Sequence, residues 1–389
     1  MLDLVVSGGG IGGAILAELL ARAGKRIVVL ERGTAPPAWT RPEIYWPATA
    51  DFLATLIPRE VFAPIEAFDI HDGKRVEELV PAAALRAAGV RPASADPNRV
   101  RELLLERATF EVRRGVEVVS LLREGARVAG VRAREVDTGR EFDVPARWTI
   151  GDDGVRSVVR EGCGIGIDLA MFPVDFLCFG PRWPASLSPS RVRLWANRGG
   201  TRSGILGLGA VPLPDGRGTG LVLALPRAFE DPRAAGDWQR FLDRDPILRE
   251  IVGDRRFPGD FARVRRPWGH AERYGVDGAL ILGDAAHPVS PAGGQGASAA
   301  VTDARALAEI LLSGERDPVA TFERRRRASN ERSLAITRLA HRAWAIPAWC
   351  RSTPLFFAAL SFLRRRPSVL ARAVRNVSTR FLEDSPGTP

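Results

Sequence analysis

Cysteine, lysine and histidine are all scarce in this chain, and each scarcity bears on a class of function. Three cysteines in 389 residues, Cys163, Cys178 and Cys350, are too few and too far apart for a disulfide framework or a metal-binding spacing. They lead us to expect a reducing, cytoplasmic compartment. The four histidines, His71, His270, His287 and His341, show no ligand spacing to one another, so no metal site is expected. Lysine occurs only as Lys25 and Lys74 among 56 basic residues. The formal charge of +10 therefore rests on arginine, an imbalance better explained by genome composition than by a phosphate-binding face. No aromatic-interleaved basic repeat accompanies it, and nucleic acid is not an expected partner. Long apolar runs are missing too. The N-terminus enters a strand at once, without the basic region and apolar core of a signal peptide. The longest late run, Pro354 to Leu363, has about half the length of a membrane-spanning helix.

What remains is a globular composition, 45% hydrophobic and 26% charged, in a chain long enough for two or three domains. Leu2-Asp3-Leu4-Val5-Val6 reads as a buried parallel strand, and Ser7 to Gly13 carries the G-x-G-x-x-G spacing at Gly8, Gly10 and Gly13. The pattern predicts a helix over 11–23 closing at Gly24, then a strand over 25–30 ending on Glu31. Together these parts form a dinucleotide-binding unit. Gly10, Ile11, Gly12 and Gly13 bring backbone close to a pyrophosphate at a helix N-terminus, and Glu31 meets ribose hydroxyls. An acid at that place favours a free ribose diol over a 2′-phosphate, leaving FAD or NAD. Arg32 beside it reads either as a nucleotide ligand or as a solvated charge. Arg41, in the stretch 34–47 where Pro36, Pro37, Pro42 and Pro47 forbid a helix, is a candidate phosphate or flavin contact or else a loop charge.

Helical spacing follows over 48–56. Ile65–Ile70 and Arg75–Val80, flanking Asp72-Gly73, predict a hairpin and with it the start of an antiparallel domain. A helix is expected over 97–108, strands over 117–122, 128–135 and 141–145, and a return to a buried strand over 147–150. Antiparallel strands over 174–179, 192–197, 204–211 and 218–225 come next, then a helix over 235–243. The stretch Ile281 to Asp303 stands apart. A short strand, Ala279–Leu282, ends at Gly283 and delivers Asp284. Pro288, Pro291, Gly293, Gly294 and Gly296 then delay the next helix until Ala297. A loop of this kind lays backbone N–H groups against an anion or an electron-rich ring.

Three stretches in order, spanning roughly 300 residues, resemble the FAD-dependent monooxygenases of the aromatic-hydroxylase (p-hydroxybenzoate hydroxylase-like) family. They are Gly8, Gly10, Gly13 and Glu31; Asp153, Gly154, Ser157 and Arg160; and Gly283, Asp284, Ala285, His287, Pro288, Pro291, Gly294, Gln295 and Gly296. The resemblance implies that Asp284 accepts from a ribityl hydroxyl. It implies that the loop from Pro291 through Gly294, Gln295 and Gly296 to Ala297 lies beside the isoalloxazine, with Pro291 and Gly294 nearest the chemistry. Arg41 matches an arginine that members carry after the acid. Asp153-Gly154 is the pair that touches the pyrophosphate region and is associated with NAD(P)H. The helix near residue 100 opens in the family with an arginine or glutamine facing the flavin. Here Pro97 stands at that place, and Arg99 takes the role with Arg101 nearby. His287 is read as shaping the loop backbone.

The fold implied is α/β: a Rossmann-like FAD-binding domain, a second, mainly antiparallel β-sheet substrate domain and a helical C-terminal tail. The FAD-binding part is expected over 1–70, 95–170 and 265–320, the substrate domain over 71–94 and 171–264, and the tail over 321–389. The implied reaction uses NAD(P)H and O2 to hydroxylate an aromatic or polyketide-like small molecule through a flavin C4a-hydroperoxide. The rivals are an alkene or polyene epoxidase, a flavin-dependent reductase or halogenase, and a flavoprotein interaction module without turnover. The tail opens with Phe322-Glu323-Arg324-Arg325-Arg326-Arg327, the start of a long helix. Its apolar run 354–363, flanked by Arg351 and by Arg364 to Arg366, reads as a packed helical tail or as a peripheral contact with an anionic membrane surface.

Overall fold

A computed structural model describes residues 1–72, 75–197, 203–291, 294–345 and 367–379. Its first unit follows from the N-terminal pattern. β1 (Leu2–Ser7), α1 (Ile11–Arg22) and β2 (Ile27–Glu31) run strand, helix, strand, and β1 pairs in parallel with β2. Val5, Val6, Val28 and Val29 have no exposed surface, as required of strands covered on both faces. On its other side β1 pairs in parallel with Glu141–Gly151, which in turn pairs with Ala279–Ile281. Glu111–Arg114 closes one edge beside β2, and Gly275–Val276 closes the other. Helix Gly296–Ser313 packs against α1. The two come close because Gly12 faces Ala300 and Leu282 with no room for a side chain: a Cβ there would lie 2.5 Å from Leu282 Cδ1.

Glu141–Gly151 differs from its expected reading as two strands, 141–145 and 147–150. It is one strand that changes partner. Its first half pairs antiparallel with Arg127–Glu135, which pairs in turn with Val116–Glu124, and its second half pairs with β1. Pro145 lies inside this strand, opposite Gly130, although a proline cannot donate to the ladder. Among the shorter elements absent from the sequence reading are strand Glu111–Arg114, helices Ala82–Ala88 and Pro246–Val252, and the strand pair Ile167–Met171 with Pro267–Ala271. Pro47 belongs to a helix, Pro47–Leu53, as its first residue, where a missing N–H is harmless.

The second sheet has seven strands, in the order Ala262–Val264, Asp175–Phe179, Gly218–Ala224, Ile205–Pro212, Arg191–Ala196, Ala67–Asp72 and Arg75–Val80. The last two form the expected hairpin, whose residues 73 and 74 lie outside the described residues. Ala67–Asp72 crosses the expected boundary at residue 70. It joins the sheet in parallel with Arg191–Ala196, the exception to the antiparallel pattern. Period-two alternation sorts the strands' side chains. Leu177, Trp195, Leu208 and Val222 pack on Trp238 and Phe241 of helix Ala234–Leu242, while Phe68, Val192, Leu194, Leu221 and Leu223 turn toward the first unit.

Helix Pro318–Ala345 follows helix Gly296–Ser313 and packs on it. Helix Pro367–Thr379 returns to Ala82–Ala88, where Ala371 and Val374 meet Leu85, Ala88, Val90 and Trp46. The apolar run Pro354–Leu363 lies outside the described residues. Among the described residues no helix is long and apolar enough to cross a membrane.

Candidate cofactor and substrate site

Between the two sheets lies a cavity of about 650 Å³. At one end is the glycine turn after β1. Gly8 has a φ of +93°, and a Cβ on it would lie 2.4 Å from the Asp152 carbonyl oxygen. Only glycine fits there. α1 begins at Gly10 without a side-chain cap from that residue, so its first-turn amides and its dipole face the cavity where Gly10 and Ile11 line it. This cradle suits a diphosphate. Glu31, at the end of β2, accepts from Gly9 N at 2.8 Å and from Gly33 N at 2.7 Å, which fixes the turn from behind. Arg32 is exposed.

The two carboxylates that follow Gly151 divide. Asp153 points into the protein, accepting from Ser7 Oγ at 3.1 Å and from Val159 N at 3.2 Å at the start of helix Val158–Gly162. Burial, partly offset by these bonds, raises its pKa. Asp152 instead lines the cavity with Gly154, and its Oδ2 accepts from Gly13 N at 2.7 Å. The pair expected at the pyrophosphate was Asp153-Gly154, yet the wall is built by Asp152 and Gly154. A similar shift occurs on helix Pro97–Glu106. Arg99 pairs with Glu106 on the outside with half its side chain exposed, and does not line the cavity. Arg101 lines it and comes within 3.9 Å of Glu31.

Midway, the turn Gly283–Ala285 presents Asp284, 38% exposed and 3.3 Å from Arg266 Nη1. Arg41 lines the same region and pairs with Glu43 at 3.3 Å. Arg266 and Glu43 were not expected from the sequence, since neither lies in a recognisable pattern. At the far end Pro291, Gly294, Gln295, Gly296 and Ala297 complete the wall. Gly294, with φ +61°, gives its N–H to the Pro291 carbonyl at 3.1 Å. The amides of Gly296 and Ala297, in the first turn of the helix that starts there, are the ones left to face an anion.

Behind this wall a polar network is closed off from water. Asp303 accepts from Arg326 Nε at 2.8 Å, from Asn330 Nδ2 at 3.1 Å and from Gly283 N at 3.3 Å, and it pairs with His287. Asn330 also reaches the Tyr274 hydroxyl at 3.1 Å, which meets His270 Nε2 at 2.6 Å. His287 thus holds the backbone turn that carries Asp284. Among the described residues no cluster of His, Cys, Asp or Glu could hold a metal ion.

The FAD binding domain family matches residues 1–341. The chain is 30% identical to 6-methylpretetramide 4-monooxygenase of Streptomyces rimosus over 86% of its length and 82% of that protein's. It is 29% identical to rifampicin monooxygenase of Streptomyces venezuelae over 82% and 69% of the two chains. The solved structure of p-nitrophenol 4-monooxygenase PnpA from Pseudomonas putida superposes with a TM-score of 0.75 over 98% of both chains. At 21% identity that likeness speaks for the fold. The chain belongs to the FAD binding domain family and is an FAD-dependent monooxygenase of the aromatic-hydroxylase type.

Proposed function

We propose that this enzyme hydroxylates an aromatic or polyketide-like ring, with NAD(P)H as reductant and O2 as oxidant. One observation carries the reading: a single cavity has a polar wall of helix N-termini and carboxylates on one side and the apolar face of the seven-stranded sheet on the other. FAD, when bound, supplies electron transfer and oxygen activation. The chain's own residues bind, orient and exclude water. The first turn of α1 holds the diphosphate, Asp284 accepts from the ribityl chain, and the amides of Gly296 and Ala297 stabilise negative charge on the flavin ring. Phe68, Val192, Leu194, Leu221 and Leu223 offer a flat apolar surface to a ring substrate and keep water from the reacting carbon. The activities named for the two Streptomyces relatives support a polyketide-like substrate.

On the same reading residues 1–70, 95–170 and 265–320 serve the cofactor and 71–94 and 171–264 the substrate, except that strand Ala67–Asp72, with Phe68, belongs to the substrate sheet. A reducing, cytoplasmic setting suits Cys163 and Cys178, both free and buried, with burial raising each thiol's pKa to about 11. The test is to purify the protein, record its flavin spectrum and screen aromatic and polyketide compounds for stimulated NAD(P)H oxidation. The expected product is heavier by one oxygen. A colourless protein that cannot be reconstituted with FAD would overturn the reading, and so would NAD(P)H oxidation without an oxygenated product from any ring compound.

A further inference from the structure

Asp152 stands on the cavity wall beside Gly10 and Ile11, at the first turn of α1. Its Oδ2 takes the Gly13 N–H at 2.7 Å and lies so near Gly10 that a Cβ there would approach it to 2.3 Å. Its Oδ1 faces the next turn, where a Cβ on Gly283 would lie 3.2 Å away. The carboxyl is therefore wedged between the glycine turn and the turn that presents Asp284. The remaining first-turn amides of α1, those of Ile11 and Gly12, are the ones a diphosphate would use. A diphosphate held there must lie against Asp152, and two anions do not share such a place unless one carries a proton.

The charged groups around Asp152 make a proton the natural solution. Asp153 follows it in the chain, Asp284 faces it from the Gly283–Ala285 turn, and Asp303 faces it from helix Gly296–Ser313. Glu31 lies behind Gly9 at the end of β2. The nearby arginines are engaged elsewhere: Arg326 with Asp303, Arg266 with Asp284, and Arg101 beside Glu31. Desolvation at the cavity wall, where the side chain keeps part of its surface exposed, pushes the Asp152 pKa well above the ordinary carboxylate range. The Gly13 N–H opposes that, and the three aspartates add to it.

We propose that Asp152 is a proton-carrying contact to the FAD diphosphate, accepting from Gly13 N–H through Oδ2 and donating its own hydrogen through Oδ1 to a phosphate oxygen. This rests on the placement of FAD at the first turn of α1. Its consequence is a cofactor affinity linked to one proton. FAD binds the protein with Asp152 neutral, so affinity is constant at low pH and falls once the carboxyl ionises in the apoprotein. The fall approaches tenfold per pH unit, the slope for one proton.

The experiment titrates flavin-free protein with FAD, following flavin fluorescence from about pH 5 to 9.5, with calorimetry in two buffers of different ionisation enthalpy to count protons. Wild type, Asp152→Asn and Asp152→Ala are compared. For wild type the dissociation constant should climb toward the tenfold slope in the upper part of the range, with uptake approaching one proton per FAD. Asp152→Asn keeps a donor and an acceptor but cannot titrate, so it should hold the low-pH affinity throughout. Asp152→Ala should be flat and weaker by roughly tenfold, the loss of one hydrogen bond. A wild-type affinity independent of pH, or the same slope in Asp152→Asn, overturns the proposal while leaving the FAD site itself intact. FAD binding by none of the three at any pH overturns both.

Discussion

Asp303 Oδ1 accepts from Arg326 Nε at 2.8 Å with both side chains wholly buried. This pair joins helix Gly296–Ser313 to helix Pro318–Ala345, and through Asp303 Oδ2 it also holds Gly283 N and His287. Removing one member of a buried pair leaves the other charge stranded, at a cost of about 3–5 kcal/mol. Arg326→Met should lose that much in urea unfolding, whereas Asp303→Asn combined with Arg326→Met should lose less than the sum of the single variants. A loss within about 0.5 kcal/mol for Arg326→Met, the range of surface substitutions, would contradict a structural role.

The same network sets an acid limit. Burial, aided by His287 and Arg327, lowers the His270 pKa from 6.5 to about 4. As pH falls, the unfolded chain takes up this proton first, so the contribution of neutral His270 is fully present above 6.5 and is lost as pH falls toward about 4. His270→Gln keeps a polar group near the Tyr274 hydroxyl without the titration. Its melting temperature should drop less than wild type's between about pH 7.5 and 4.5. Equal drops would assign the acid loss to other groups.

How far the sequence showed this site depends on how local each signal is. The turn Gly8 to Gly13 was legible because it is closed by glycines within a few residues, and Asp284 because a strand ends just before it. Asp152 was not, because two successive carboxylates after Gly151 differ only in the side to which the turn throws them. Arg101 was missed in favour of Arg99 for a rotational reason: two positions along a helix turn a side chain by about 200°. Arg326 sits in a run of four arginines that reads as a solvated basic face, and only packing against Asp303 reveals it as internal. Helix Ala82–Ala88, confined between Pro81 and Gly89, is too short for periodicity to declare.

Arg101 faces the cavity beside Glu31 and Arg99 faces Glu106, so the two should separate cleanly. Arg101→Ala should weaken FAD binding by roughly tenfold, the value of a charge-assisted contact. Arg99→Ala should leave affinity and stability unchanged within about 0.5 kcal/mol. Fluorescence titration of the flavin-free proteins checks both, and a larger effect from Arg99→Ala would reverse the assignment.

Asp284 is more than a third exposed and makes one ion pair, with Arg266, so its removal should leave the fold intact. Asp284→Ala should raise the FAD dissociation constant by roughly 10- to 100-fold, the equivalent of a hydrogen bond to a charged group. Circular dichroism should be unchanged. Full flavin occupancy in the purified variant would count against a ribityl contact.

Trp46 lines the cavity and belongs to the same apolar cluster as Val374 of helix Pro367–Thr379. That helix therefore backs the cavity wall from outside, through the patch it shares with Leu85, Ala88 and Val90. A carboxylate in this apolar contact has no partner, and burying one without compensation is strongly unfavourable. Val374→Asp should release the helix and let it fray, opening the backbone beside its surface arginines, Arg372 and Arg375, to trypsin. Limited digestion should then cut in this helix several-fold faster than in wild type, with the remainder of the chain still folded by circular dichroism. Loosening the support of Trp46 should also raise NAD(P)H oxidation that yields no oxygenated product, because water gains access to the flavin side of the cavity. Unchanged cleavage would show that the helix is held by contacts other than Val374, and unchanged coupling despite faster cleavage would show that Trp46 keeps its place without it.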